Sequence, residues 1–434
     1  MFFDPSSDSL VRADSNGRGR LAYHQNYLWE PRLGIAWDIN GKGTTVVHLD
    51  YGILYNQPET NLVTGLATNP PFAVPVSVQL SAPSPALTMQ NAFTSAAAAG
   101  TIAPYNVAPD FKNPQMQSYN VMVQHQLSNT MGLQIGYVGS KGTHLQMYLN
   151  ENQPINGVRP FAKLASTSAI SPGKALGNIL TSASAGNSNY NALWATLNKN
   201  FGNNLQFSTS YTWSKSLDYN SYNLASTVYG TPQDSYNPRG DYGPSDFDVR
   251  NRWVLSGVYT LPWKNNRLEQ GWVFSTITSM QSGNPFTVHT SLANNGVANL
   301  TRPNVNGPVR YEYVRAGNNI QFIPQAICKT PVSGCIWSSP GTGFGNERRG
   351  EYTGPGFEDV DFALEKDTHL TERLQVQLRA DAFNILNHVN FAQPASTFTP
   401  GGTAGTFGQL NSTRFPVGDF GSSRQLQISG KLVF

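Results

Sequence analysis

The chain has 434 residues, a net charge of +3 and only 13% charged residues, about half the share of a soluble domain. Its mean hydropathy of −0.35 therefore comes from Ser, Thr, Asn, Gln, Gly and Tyr. No run of about 20 apolar residues is present, which argues against membrane-crossing helices, and no basic stripe supplies a footprint for nucleic acid. Transmembrane strands fit this balance, because they show lipid only every second side chain.

In chain order, MFFDPSSDSL carries neither a basic nor an apolar signal region. Residues 1–30 read as an irregular segment, the remnant of an extracellular loop, and the start of an exported protein is expected upstream. Residues 31–434 read as strands. PRLGIAWDI alternates Leu33, Ile35, Trp37 and Ile39, turns at NGKG, and returns with Val47, Leu49, Tyr51, Ile53 and Tyr55. A second pair shows Tyr119, Val121, Val123 and Leu127, then Leu133, Ile135 and Tyr137. In the third, NALWATLNKNF carries Trp194, and Leu205, Phe207, Thr209, Tyr211 and Trp213 alternate with Gln and Ser. A fourth runs from Trp253, Leu255 and Tyr259 past Trp263 to Trp272 and WVFSTITSMQ. A fifth joins Val360, Phe362 and Leu364 to Val376, Leu378 and Ala380, and RQLQISGKLVF follows last. Period-2 alternation is the signature of half-buried strands.

The predicted fold is all-β: an antiparallel transmembrane barrel of about eleven strands with long extracellular loops and short periplasmic turns. Single-chain bacterial barrels take an even number of strands, and open edges are not tolerated in lipid. These strands are therefore expected to form the C-terminal half of a larger barrel.

The candidate functional residues follow from that frame. Trp37, Tyr51, Tyr137, Trp194, Tyr211, Trp213, Trp253, Tyr259, Trp263 and Trp272 fall near strand ends and suggest interfacial girdles. Cys328 and Cys335, seven residues apart across CKTPVSGC, are candidates for one local disulfide, with two unpaired thiols as the alternative; two ligands are too few for zinc. NPRGDYGPSDFDVRNR concentrates charge where a loop re-enters a strand, and its Arg/Asp pairs are expected to fix the loop to the wall. GSKGTH at 139–144 lacks phosphate-loop spacing and reads as a strand rim. Glu358, Asp359 and Asp361 are divided between faces by alternation. No catalytic constellation, metal site or cofactor site emerges, and the protein is expected not to be an enzyme.

The segments PRLGIAWD, QSYNVMVQHQL, LQIGYVGSKGTHL, FSTSYTWSKSLD, FDVRNRWVLSGVYTLPW and LRADAFNILNHVNF, in that order, resemble the barrel of Oar-like TonB-dependent receptors. The resemblance implies a 22-stranded barrel in the bacterial outer membrane, preceded in the family by a signal peptide, a regulatory-like β-sandwich and a plug. It implies binding or uptake of a large ligand, with the TonB energy-coupling complex as partner where an upstream plug exists, and outer-membrane lipid around the wall. The last strand, with Leu426, Ile428, Leu432 and terminal Phe434 on one face, resembles the signal read by the barrel-assembly machinery. A structural or adhesive barrel without transport is the competing reading; a soluble lectin or propeller is disfavoured by irregular hairpin spacing.

Overall fold

The computed structural model describes residues 1–14, 27–58, 61–73, 101–202, 204–221, 231–263, 266–292, 296, 301–328, 334–401, 405–414 and 423–434. Eleven long strands form one antiparallel meander: β1 Arg32–Asp38, β2 Thr45–Tyr55, β3 Gln115–Ser128, β4 Met131–Asn150, β5 Leu180–Gly202, β6 Leu205–Asp218, β7 Asn251–Thr260, β8 Trp272–Gln281, β9 Phe357–His369, β10 Gln375–Phe383 and β11 Gln425–Val433. Each pairs with its neighbours in sequence, and the sheet is not closed: β1 and β11 each have one partner among the described residues. Among the described residues no helix is long and apolar enough to cross a membrane.

The register sorts the alternating side chains onto two faces. One row of opposed residues runs Trp37, Val47, Val123, Ile135, Ala195, Tyr211, Trp253, Met280, Glu358 across nine strands. It starts at the turn end of β1 and finishes at the loop end of β9, the climb expected of strands tilted in a barrel wall. The large side chains of this face lie open to the surroundings: Leu33 is 63% exposed, Trp213 53% and Ile428 86%. In water such a band would be unfavourable by about 25 cal/mol per Å²; against lipid it is the natural outer surface.

The opposite face is polar and laced across strands. Ser208 donates to Asn198 (2.7 Å), Thr196 to Ser210 (3.0 Å), and Arg379 pairs with Glu365 (3.2 Å) and Asp381 (2.8 Å). Trp194 lies on this face, because its register partners are Gly136 and Thr212. Its ring covers Gly136, where a Cβ would come within 2.7 Å of Trp194 Cε2. The girdle assignment of Trp194 is thereby corrected: alternation gives the lipid face to Leu193.

Short connections (39–44, 129–130, 261–271, 370–374) join the strands at one end, and long ones (56–114, 151–179, 219–250, 282–356, 384–424) at the other. The described parts of these long segments form a cap that holds the main buried apolar clusters among the described residues, two of them shared with residues 1–14. The largest gathers Phe286, Val288, Phe322, Ile323, Trp337, Tyr352, Phe398, Phe407 and Leu410 from two different connections. Its pieces are strands of two or three residues, such as His289–Thr290 beside Thr397–Phe398. GSKGTH, read as a rim, lies inside β4, which with β5 extends beyond the band into the cap.

Within the segment read as irregular, the described residues 1–14 carry regular structure. Phe2–Asp4 and Ser9–Val11 pair as a hairpin, and Phe3 and Leu10 are buried with Ile102, Leu164, Leu176 and Ile179. Two adjacent phenylalanines pointing to opposite faces of a short strand each meet an apolar cluster, Phe2 joining Leu62, Val107 and Phe111. Residues 15–26, and the Ala96–Ala99 stretch within 74–100, lie outside the described residues.

Candidate functional site

The connections 219–250, 282–356 and 384–424 enclose a cavity of ≈520 Å³ on the loop side, lined among others by Tyr219, Asp241, Asp246, His289, Arg302 and Arg349. Two arginines from the longest connection organise it. Arg302 Nη1 meets Asp241 Oδ1 at 2.8 Å, both side chains being buried. Asp241 closes the 3-10 turn Pro238–Asp241, and its second oxygen accepts the Gln233 N–H (2.8 Å). Arg302 also donates Nε to the Glu347 carbonyl (2.9 Å) and its N–H to Gln233 Oε1 (2.6 Å). Every strong group of this cluster thus has a partner, as burial requires.

Arg349 anchors the same connection to the wall. It meets Asp218 at the loop end of β6 (2.6 Å), Ser221 Oγ (2.6 Å) and Asp246 (3.5 Å). Asp248 accepts the Ser216 N–H (2.6 Å). The acids of NPRGDYGPSDFDVRNR do fix a loop to the wall, but Asp241 and Asp246 pair with Arg302 and Arg349 rather than with the arginines of that segment. In the RGD triplet Asp241 is consumed by Arg302 and is 6% exposed, so this geometry does not present it for adhesion.

Burial sets the titration of the cavity. His289 is depressed to about 4, first by desolvation and then by Arg302, so it is neutral near pH 7. Desolvation raises Asp246, with Arg349 opposing, and raises Asp248 against its Ser216 hydrogen bond. Glu347, behind the cavity wall, is pushed well above the usual carboxylate range by burial; its Oε1 accepts the Val288 N–H (2.9 Å) and, among the described residues, its Oε2 has no hydrogen-bond partner. Burial in that setting favours the protonated form. Among the described residues no group of three or more His, Cys, Asp or Glu side chains converges as a metal site.

The remaining sequence-derived residues are distributed as follows. Cys328 and Cys335 are joined, with Cα atoms 5.9 Å apart, at the edge of the cap cluster containing Trp337. Tyr51, Tyr137, Tyr211, Trp213 and Trp253 occupy the loop-side part of the apolar face. Trp37, Tyr259 and Trp272 occupy its turn-side part, and Trp263 lies 52% exposed in the connection after β7. Tyr119 joins the loop-side set, stacking on Tyr137 with centroids 6.2 Å apart. Leu426, Ile428 and Leu432 line the apolar face of β11, opposite Ala382, Ala380 and Val376, and Phe434 follows the strand, 98% exposed. Sequence reasoning did not single out Arg302, Arg349, His289 or Glu347: Arg302 and His289 are isolated in long connections, Glu347 and Arg349 share the short charged run NERRGE, and none shows spacing or periodicity.

A family model described as an outer membrane beta barrel domain matches residues 1–427. The chain belongs to this family, and it is a protein of the bacterial outer membrane. Among solved structures it is similar to the outer membrane transporter YddB from Escherichia coli (10% identity, TM-score 0.43, covering 92% of this chain and 39% of that one). It is also similar to the siderophore receptor PiuA from Acinetobacter baumannii (10%, 0.42, 93% and 35%) and the ferripyoverdine receptor of Pseudomonas aeruginosa (10%, 0.44, 93% and 32%). The chain therefore spans two fifths or less of the length of these proteins. No curated protein matches the sequence.

Proposed function

We propose that the chain forms part of a TonB-dependent, Oar-like receptor, a non-catalytic barrel that binds a large polar ligand at its extracellular cap for uptake. The observation that carries this reading is the cap: long connections on one side of an outer-membrane wall fold into a hydrophobically cored body around a polar cavity. A merely structural barrel has no need of such a body. Because each arginine in the cavity is already matched by carboxylates, the cavity offers balanced donors and acceptors, which suits a hydroxyl- and amide-rich ligand.

The two edge strands support a larger barrel. Both β1 and β11 run from the loop side to the turn side, so antiparallel closure requires a segment with an odd number of strands, and eleven more would give the 22 of the resemblance. The barrel-assembly machinery is the proposed reader of Leu426, Ile428, Leu432 and Phe434, and an energy-coupling complex would act through a plug contributed by the same polypeptide.

The test is a deletion strain grown on a panel of ferric chelates, oligosaccharides and peptides as sole sources. Loss of growth on one source, restored by the wild-type gene but not by Arg302→Ala, is the expected outcome. Growth of the deletion strain on every source, with unchanged binding of each compound to cells, would sink the uptake reading.

A further inference from the structure

The outward face of the wall carries a cationic island at its loop side. Along β1 to β6 this face holds no acidic residue among the described residues, yet Lys141 of β4 and Lys215 of β6 both stand exposed on it. The register sets them on either side of β5: Lys141 opposes Asn189, and Lys215 opposes Asn191 two residues further along that strand. Tyr137 and Trp213 of the loop-side aromatic belt share this face, four residues below Lys141 and two below Lys215. Neither lysine has a hydrogen-bond or ion-pair partner among the described residues.

The ground between the two cations is preformed. Tyr119 covers Gly139, where a Cβ would strike its ring, and stacks on Tyr137. Both hydroxyls donate to Asn191 Oδ1 (3.0 and 2.7 Å), and Asn191 Nδ2 donates to Asn189 Oδ1 (2.6 Å). An ammonium group at the edge of a hydrocarbon layer is unfavourable unless it reaches water or an anion. Two strand spacings across and a two-residue step along separate the lysine Cα atoms by about 12 Å, a span that a disaccharide with an anionic group at each end can bridge.

We propose that this island holds one glycolipid of the outer leaflet, with a phosphate at each end of a disaccharide headgroup. Lys141 takes one phosphate and Lys215 the other, the sugar lies on the Asn189–Asn191 pair, and the acyl chains run down the apolar band over Tyr137, Leu193 and Trp213. The absence of acids on this stretch of the face suits an anionic headgroup, and the belt directly below suits an amphiphile over a free anion. A phospholipid with a single phosphate cannot engage both lysines at once. The inference rests on the placement of the wall in the outer membrane and is independent of the uptake reading.

The test uses the product of the intact gene, made in its own organism and extracted from its outer membrane in mild detergent, with heat-modifiable gel migration reporting the folded state. Native mass spectrometry is expected to find one glycolipid retained per protein. Lipid A with both phosphates should exchange into the site about fivefold more tightly than its monophosphorylated form, one lysine contact being lost. Lys141→Gln and Lys215→Gln should each weaken retention about fivefold and together about 25-fold. Lys199→Gln, on the same face at the turn side, should leave it unchanged. Equal binding of the two forms of lipid A by the wild-type protein would overturn the proposal without recourse to any variant. Full retention by a folded double variant, an equal loss in Lys199→Gln, or equally tight exchange with phosphatidylglycerol would overturn it as well.

Discussion

In the wall, Leu33, Trp213 and Ile428 stand open while Ser, Thr, Asn and Gln side chains bond across the other face. In the cap, Phe322, Ile323, Trp337 and Phe407 are at most 2% exposed and charged residues seal the gaps between segments. The two regions therefore draw stability from different solvents. The cap obeys the rule of aqueous proteins, in which apolar burial dominates, and the wall depends on backbone ladders and on lipid accepting its outer face. Damage to one should be separable from damage to the other.

The largest effect is expected from Arg302→Ala. It leaves Asp241 buried without its cation, a change that costs about 3–5 kcal/mol. The cap should lose hydrogen-exchange protection and open to protease around 231–241 and 301–305 while heat-modifiable migration of the wall is kept. Loss of wall folding in the same variant would show that the two regions are one cooperative unit.

The converse experiment is Ile135→Arg. An arginine in the apolar band costs about 2–4 kcal/mol near the bilayer midplane and should depress insertion into vesicles, whereas Gln134→Arg, one residue away on the polar face, should insert nearly as wild type.

Titration sharpens the cap side. His289 has a folded value of about 4 against an ordinary 6.5, so its contribution is present above pH 6.5 and is lost as pH falls toward 4, roughly 3 kcal/mol in full. Glu347 is raised, so its contribution is complete below its ordinary value near 4.5 and is lost as pH rises. The two oppose each other. His289→Asn should make cap protection increase steadily on acidification, and Glu347→Gln should make it decrease steadily, as read by hydrogen exchange at 286–290. Parallel slopes in the two variants would contradict this assignment.

The smallest expected effect is local to the polar face of the wall. Gly136→Val would drive Trp194 off its seat at a cost of about 1–3 kcal/mol, visible as a red shift of tryptophan emission with the cap's exchange pattern unchanged.

The wall was largely legible in the sequence because its physics is periodic. Leu205, Phe207, Thr209, Tyr211 and Trp213 announce β6 without any knowledge of their neighbours. Trp194 shows the limit of that reading: strand-end position and residue type suggested a girdle, but the face is decided by counting from Leu193, and its partner Gly136 lies on another strand. The cap was not legible. Its strands are two or three residues long, too short for alternation to register. Its decisive pairs also join distant positions, as when Arg349 reaches the Asp218 carbonyl 131 residues away. Such pairs leave no local trace: Arg302 looks like any loop arginine until Asp241 is beside it.

That distance has a kinetic meaning. Arg349 meets Asp218 across the intervening β7 and β8, and the Phe286 cluster needs Phe398 and Leu410 from beyond β10. Contacts of such high sequence separation form late, so the cap cannot precede its wall. With the long connections outside, as proposed, Phe322, Trp337 and Phe407 cross the membrane unsheltered, and the ordering of the cap then marks the moment at which the staves beneath it have been set.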